Sequence, residues 1–110
     1  METIKYIGNR PHVHVGSRTF IPPDKMQHLE SELNYTLISL IDGQKILSST
    51  TLKKIEGRLR PFKNFVRVNR NTIVNLDCIK QQEKNGFRLP DERLLIFSRR
   101  IGKTWKEKNE

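Results

Sequence analysis

Short alternations of apolar and polar positions run the length of the chain, and turn residues interrupt them every few positions. Ile4-Lys5-Tyr6-Ile7 and His12-Val13-His14-Val15 read as strands about the turn Gly8-Asn9-Arg10-Pro11. Gly16-Ser17-Arg18 leads into Thr19-Phe20-Ile21, and Pro22-Pro23-Asp24 breaks that run. Residues 26–33 suit a helix on propensity, but strands flank them. They therefore read as a strand over 26–30 followed by a loop, with His28 expected exposed on that strand. Tyr35 to Ile41 is a buried strand, Asp42-Gly43 a hairpin turn, and Gln44 to Leu47 its partner. Ser48-Ser49-Thr50-Thr51 offers helix N-caps. Beyond it Leu52, Ile55 and Leu59 fall at i, i+3 and i+7, so residues 51–59 predict one short amphipathic helix, stopped by Pro61. Lys53, Lys54, Glu56 and Arg58 take its outer face, where the cations could meet phosphates.

The pattern changes at Phe65 to Ile79, FVRVNRNTIVNLDCI. It opens as a half-buried strand, breaks at Asn69-Arg70-Asn71, and re-enters the core through Ile73-Val74, with Asn75 bonding backbone at the turn. A polar tip between apolar anchors holds side chains out toward a partner. Arg and Asn carry the planar paired groups that match guanine and adenine edges. Further on, Ile79 to Lys84 and Phe87 to Leu89 flank the hairpin turn Asn85-Gly86. Pro90-Asp91-Glu92 turns into the core strand Arg93 to Phe97. A short basic tail keeps Trp105 within reach of the core. About nine or ten strands and one helix give a mostly-β fold built from hairpins.

At 110 residues the chain predicts a single domain, 1–110. Charge then narrows its function. Residues 1–52 hold five Lys/Arg against five Asp/Glu, whereas residues 53–110 hold sixteen against seven, so the whole net charge of +9 lies in the second half. Segregated positive charge points to a polyanion. No apolar run approaches a membrane span and the N-terminus lacks a signal-peptide core. With the single cysteine, Cys78, expected as a buried inert thiol, the expected location is cytoplasmic. His12 and His14 share a strand face without a third ligand at useful spacing, so they read as structural. Asp24, Asp42, Asp77 and Asp91 each sit beside a turn signal, which argues against a metal-dependent nuclease. Ser98 has no recognisable His-Asp arrangement and reads as a hydrogen-bonder rather than a nucleophile. No enzyme activity and no cofactor are expected. A basic β-domain binding RNA is the alternative, but such domains present stacking aromatics, and aromatics are only 7% of this chain. A purely protein-binding adaptor would show no salt-dependent DNA affinity.

In the joint order of three pieces the chain resembles the LytTR family of bacterial DNA-binding domains. These are NYTLISLIDGQKILSSTTLKKIEGRL, FVRVNRNTIVNLDCI and LLIFSRR, covering roughly residues 20–102. Residues 1–19 then form N-terminal strands and 103–110 the basic tail. The resemblance implies an elongated all-β fold of small antiparallel sheets with a minor helix. It also implies sequence-specific reading of double-stranded DNA by a transcription regulator, through loops that enter two neighbouring major grooves. By motif position, Arg70 falls where the family reads bases, and Asn34 and Tyr35 on the loop approaching the other groove. Arg99 falls in the terminal Ser-Arg contact, toward phosphate or minor groove. Asn69, Asn71, Lys80, Arg67 and Arg100 are second-rank candidates. The family often carries His in place of Asn69 and Ser in place of Asn71, which shifts the expected base preference. Family members are often joined to a phosphoacceptor receiver domain. None is recognisable in these residues, so phosphorylation control is not inferred from them, and an unidentified sensor or regulatory protein stands among the expected partners. The limited surface that one small module buries on DNA predicts homodimers on repeated half-sites.

Overall fold

The computed structural model describes the backbone of residues 3–109 and the side chains of residues 3–106. The alternating stretches close into three antiparallel sheets. The first contains β1 (Ile4–Ile7), β2 (Arg10–His14) and β3 (Phe20–Ile21) in that order. The central sheet contains β4 (Met26–Glu32), β5 (Tyr35–Leu40), β6 (Lys45–Ser48), β7 (Phe65–Asn69) and β8 (Thr72–Asn75), ordered β6-β5-β4-β8-β7. The third is ordered β11-β10-β9 and contains β9 (Gln81–Glu83), β10 (Gly86–Arg88) and β11 (Leu94–Ile96). Two helices complete the fold, α1 (Leu52–Leu59) and α2 (Arg99–Asn109). The fold is mostly β, as the hairpin pattern predicts, and measures 38 × 32 × 25 Å along its principal axes.

Every residue of β8 is buried, because the central sheet has a core on each face. On one side Ile73 joins Val13, Leu29, Ile38 and the α1 stripe of Leu52, Ile55 and Leu59. Thr51 caps that helix, its Oγ1 accepting from the Lys54 N–H at 3.4 Å. On the other side Val74 joins Val68, Phe87, Leu89 and Leu95. Phe87 meets Phe97 and Trp105 edge-on, at centroid separations of 5.0 and 5.3 Å. These aromatic contacts correct one expectation, since the basic tail is helical from Arg99 onward. Ser98 caps it through Oγ, which accepts from Ile101 N–H at 3.2 Å, and Trp105 lies one turn beyond Ile101. Lysines and the mid-helix Gly102 mask the weak apolar spacing. Residue 110 lies outside the described residues.

His28 is a second correction. It lies on β4, which runs to Glu32, and it is 5% exposed. Alternation along a strand decides exposure only where one sheet face meets water. Here the imidazole lies against Arg93, the residue just ahead of β11. Its Nε2 lies 3.0 Å from Glu30 Oε1, and the same carboxylate pairs with Arg93. Burial first, and then the Arg93 guanidinium, hold His28 down to about 4. Lys45 acts in the same direction and Asp91 opposes it.

Polar groups fix the remaining joints. Asn75 bonds backbone, as its position at the turn predicts, and is also buried. Its Nδ2 donates to Met26 O at 2.9 Å, and its Oδ1 accepts from Asp77 N–H at 2.9 Å and Asn64 Nδ2 at 2.8 Å. Cys78 is partly buried, with Sγ 3.8 Å from Met26 O, and burial pushes its thiol up, away from a reactive thiolate. Gly86 allows β10 to lie against β11, since a Cβ there would fall 1.9 Å from Leu95 O. No described helix is long and apolar enough to cross a membrane.

Asn75→Ala should cost about 2–4 kcal/mol, because it removes one group and strands its partners in the interior. Urea denaturation checks this, and a loss below about 0.5 kcal/mol would contradict it. His28 carries a pH signature. In the fold it stays neutral down to about 4, whereas the unfolded chain takes up the proton near 6.5. Its contribution is therefore complete above pH 6.5 and declines as pH falls toward 4, by about 1–3 kcal/mol. A stability–pH profile of His28→Gln should lose that slope.

Candidate nucleic-acid interface

The sheet register brings two turns from distant parts of the chain to one end of the molecule. β4 pairs β8 with Leu29 opposite Ile73 and Glu30 opposite Thr72. The β4–β5 turn at Leu33-Asn34 and the β7–β8 turn at Arg70-Asn71 therefore leave the sheet side by side. Ser31 joins them, its N–H donating to Asn71 O at 2.9 Å and its Oγ donating to Asn71 Oδ1 at 3.1 Å. Thr36 pairs with Ser48 and donates from Oγ1 to Thr50 O at 2.7 Å, which brings the start of α1 to the same end.

Within the β7–β8 tip the polar residues have different tasks. The pairing shifts by a residue between Arg67 and Asn69, a bulge that re-aims the end of β7. Arg67 is fully engaged, with Nε donating to Asn69 O at 2.9 Å, Nη2 to Arg70 O, and Nη1 to Glu56 Oε1 at 2.9 Å. Asn69 is likewise held at both ends of its amide. Its Oδ1 accepts from Asn71 N–H at 2.9 Å and its Nδ2 donates to Ile96 O at 2.8 Å. Arg70 is exposed on this braced turn, and its backbone carbonyl takes part in the bracing.

A groove of about 530 Å³ opens beside the tip, lined among others by Lys53, Arg67, Arg70 and Arg100. Its acid, Glu56, is the partner of Arg67. The same pattern holds widely. Arg10 pairs Asp24, Lys80 pairs Glu92, Arg88 pairs Glu83, and Arg93 pairs Glu30. Acids thus neutralise several cations away from the tips, while among the described residues Glu56 is the one carboxylate paired with a cation of the groove.

Among the residues singled out from sequence, Arg70, Asn69, Arg67 and Arg100 share this groove, and Asn71 lies at the junction of the two hairpins. Asn34 and Tyr35 occupy the neighbouring hairpin, both exposed. Arg99 faces elsewhere, into a second groove of about 520 Å³ between α2 and the β9–β10 turn, with Lys84, Lys103 and Lys106. Lys80 stands apart, paired with Glu92 at the end of the third sheet away from Ile96. Two residues at this end escaped selection from sequence. Lys53 was visible only as part of the helix's outer face. Leu33 was hidden because a leucine between two strands suggests core, yet here it is 98% exposed.

The chain matches the family model described as the LytTr DNA-binding domain over residues 16–108. Its structure aligns with the LytTr DNA-binding domain of a methyl-accepting/DNA response regulator from Bacillus cereus. The TM-score is 0.71 at 18% sequence identity, covering 91% of this chain and 96% of that one. No curated protein matches the sequence. The family match takes in both hairpin tips, the basic groove and all but the last residue of the terminal helix, and on that extent the chain belongs to the LytTr DNA-binding domain family.

Proposed function

We propose that this domain regulates transcription by reading a specific double-stranded DNA sequence through its two adjacent hairpin tips. The observation that carries this reading is the tie between Ser31 and Asn71, which presents Asn34, Tyr35 and Arg70 together at one end of a sheet with a core on each side. Arg70 offers the bidentate fork suited to a guanine edge, and Asn34 the amide suited to adenine. Tyr35 supplies a half-exposed ring and hydroxyl beside them. Arg67, Asn69 and Asn71 hold the tip in shape through their internal bonds, so their contribution to recognition is positional. Arg100 and Lys53, flanking the tip across the groove, grip phosphates, and Arg99 extends that grip along the other face of α2. Pairing of two copies on repeated half-sites, and control by a sensor or regulatory protein, belong to the same proposal. Among the described residues the groove offers guanidinium and ammonium groups and no nucleophile–base pair, a chemistry suited to binding.

Binding-site selection from random duplex DNA tests the reading. The wild-type chain should recover one motif, and duplex DNA should outcompete single-stranded RNA. Arg70→Ala should lose about 1–3 kcal/mol on the selected site and relax the preference at one position. Arg100→Ala should weaken all duplexes alike and lower the salt slope, d log K/d log[salt], by about one. Equal affinity of the wild type for every duplex would contradict base reading. A selected motif unaltered in Arg70→Ala would remove that residue from it.

A further inference from the structure

The tip of the β4–β5 hairpin holds a residue that the fold does not account for. Leu33 is the most exposed large apolar side chain among the described residues, at 98%. Its backbone has φ +57°, in the left-handed region where a leucine is uncommon. Glycine, asparagine or aspartate ordinarily fills such a turn position, because they enter that region with little strain. Among the described residues the other non-glycine residues with positive φ are Ser17, Arg18 and Glu92, all polar. Of these four, Leu33 is the one that combines a disfavoured backbone with an apolar side chain that packs on nothing, so folding gains nothing from it.

Its position supplies the missing use. Leu33 and Asn34 form the two-residue connection between Glu32 and Tyr35, which face each other in register. This turn stands beside the Arg70-Asn71 turn, to which Ser31 is bonded. An aliphatic side chain therefore projects among groups suited to polar base edges, beside the half-exposed ring of Tyr35. The major groove contains one apolar feature that distinguishes bases, the C5-methyl group of thymine, and cytosine lacks it. We propose that Leu33 is a specificity-determining residue that packs against a thymine methyl, while Asn34 and Arg70 make the polar contacts nearby. This inference rests on the reading of the tips as DNA-facing.

The test begins with the duplex selected by the wild-type chain, in which each thymine in turn is replaced by deoxyuridine, removing the methyl and nothing else. Binding is measured for the wild type and for Leu33→Asn, whose side chain is compatible with the left-handed turn. One replacement should weaken the wild type about fourfold, the effect of exposing one methyl-sized group. In Leu33→Asn that penalty should vanish, and renewed selection should lose the thymine preference at that position only. A melting temperature no lower than that of the wild type confirms an intact hairpin. A uracil penalty of equal size in both proteins overturns the proposal, as does a selected motif that Leu33→Asn leaves unchanged. An unchanged motif with weakened self-association would assign Leu33 to a protein contact instead. If the wild type selects no motif, the DNA reading and this inference fall together. If it selects one that depends on Arg70 but shows no uracil effect, only this inference falls.

Discussion

The structure depends on a strand that has no wet face. β8 places Ile73 into one core and Val74 into the other, and its two flanking strands, β4 and β7, occupy both of its hydrogen-bonding edges. Sliding β8 by one residue would exchange the two faces and move Asn75 off its three internal partners. Register is therefore fixed from both sides. What emerges at the end of the strand, the turn at Arg70-Asn71, inherits that fixed position.

Such an anchor lets a hairpin tip be polar and still ordered. Two polar residues in the tip are engaged inward: Arg67 with two tip carbonyls and Glu56, and Asn69 with Ile96 and Asn71. Their bonds cost the tip little freedom on meeting a partner, because ordering has already occurred in the free protein. Arginines of identical chemistry thereby divide into braces and presenters. The difference lies in whether a carboxylate or carbonyl stands within reach. Arg67 finds Glu56 on α1, whereas Arg70, two positions beyond the bulge, is carried out past the sheet.

The same sorting shapes the charge distribution. Acids on the strands and turns pair with Arg10, Lys80, Arg88 and Arg93, which removes those cations from the outward field. Of the cations in the second half of the chain, Lys53, Arg70 and Arg100 line one groove beside the start of α2, and Lys84, Arg99, Lys103 and Lys106 line the other. A duplex phosphate backbone responds to such focused charge more strongly than to net charge alone.

Much of this was decided locally and could be read along the chain. Turn residues set the hairpins, the Leu52-Ile55-Leu59 spacing set α1, and the polar break between Phe65 and Val74 marked the tip. Each depends on neighbours a few positions away. The motif order that resembles the LytTR family belongs with them. Other features depend on what lies across the molecule. His28 alternates like an exposed strand residue, yet Arg93, from the turn ahead of β11, lies against it. The tail became a helix because Trp105 finds Phe87 and Phe97, a benefit its own lysine-rich sequence does not advertise. Arg99 and Arg100 are adjacent in sequence but point into different grooves, since consecutive residues on a helix lie about 100° apart. Local pattern thus determined which segments are strands, turns and helices. Only packing between segments decided which faces are covered, which cations are paired, and which side chains stand free at the same end.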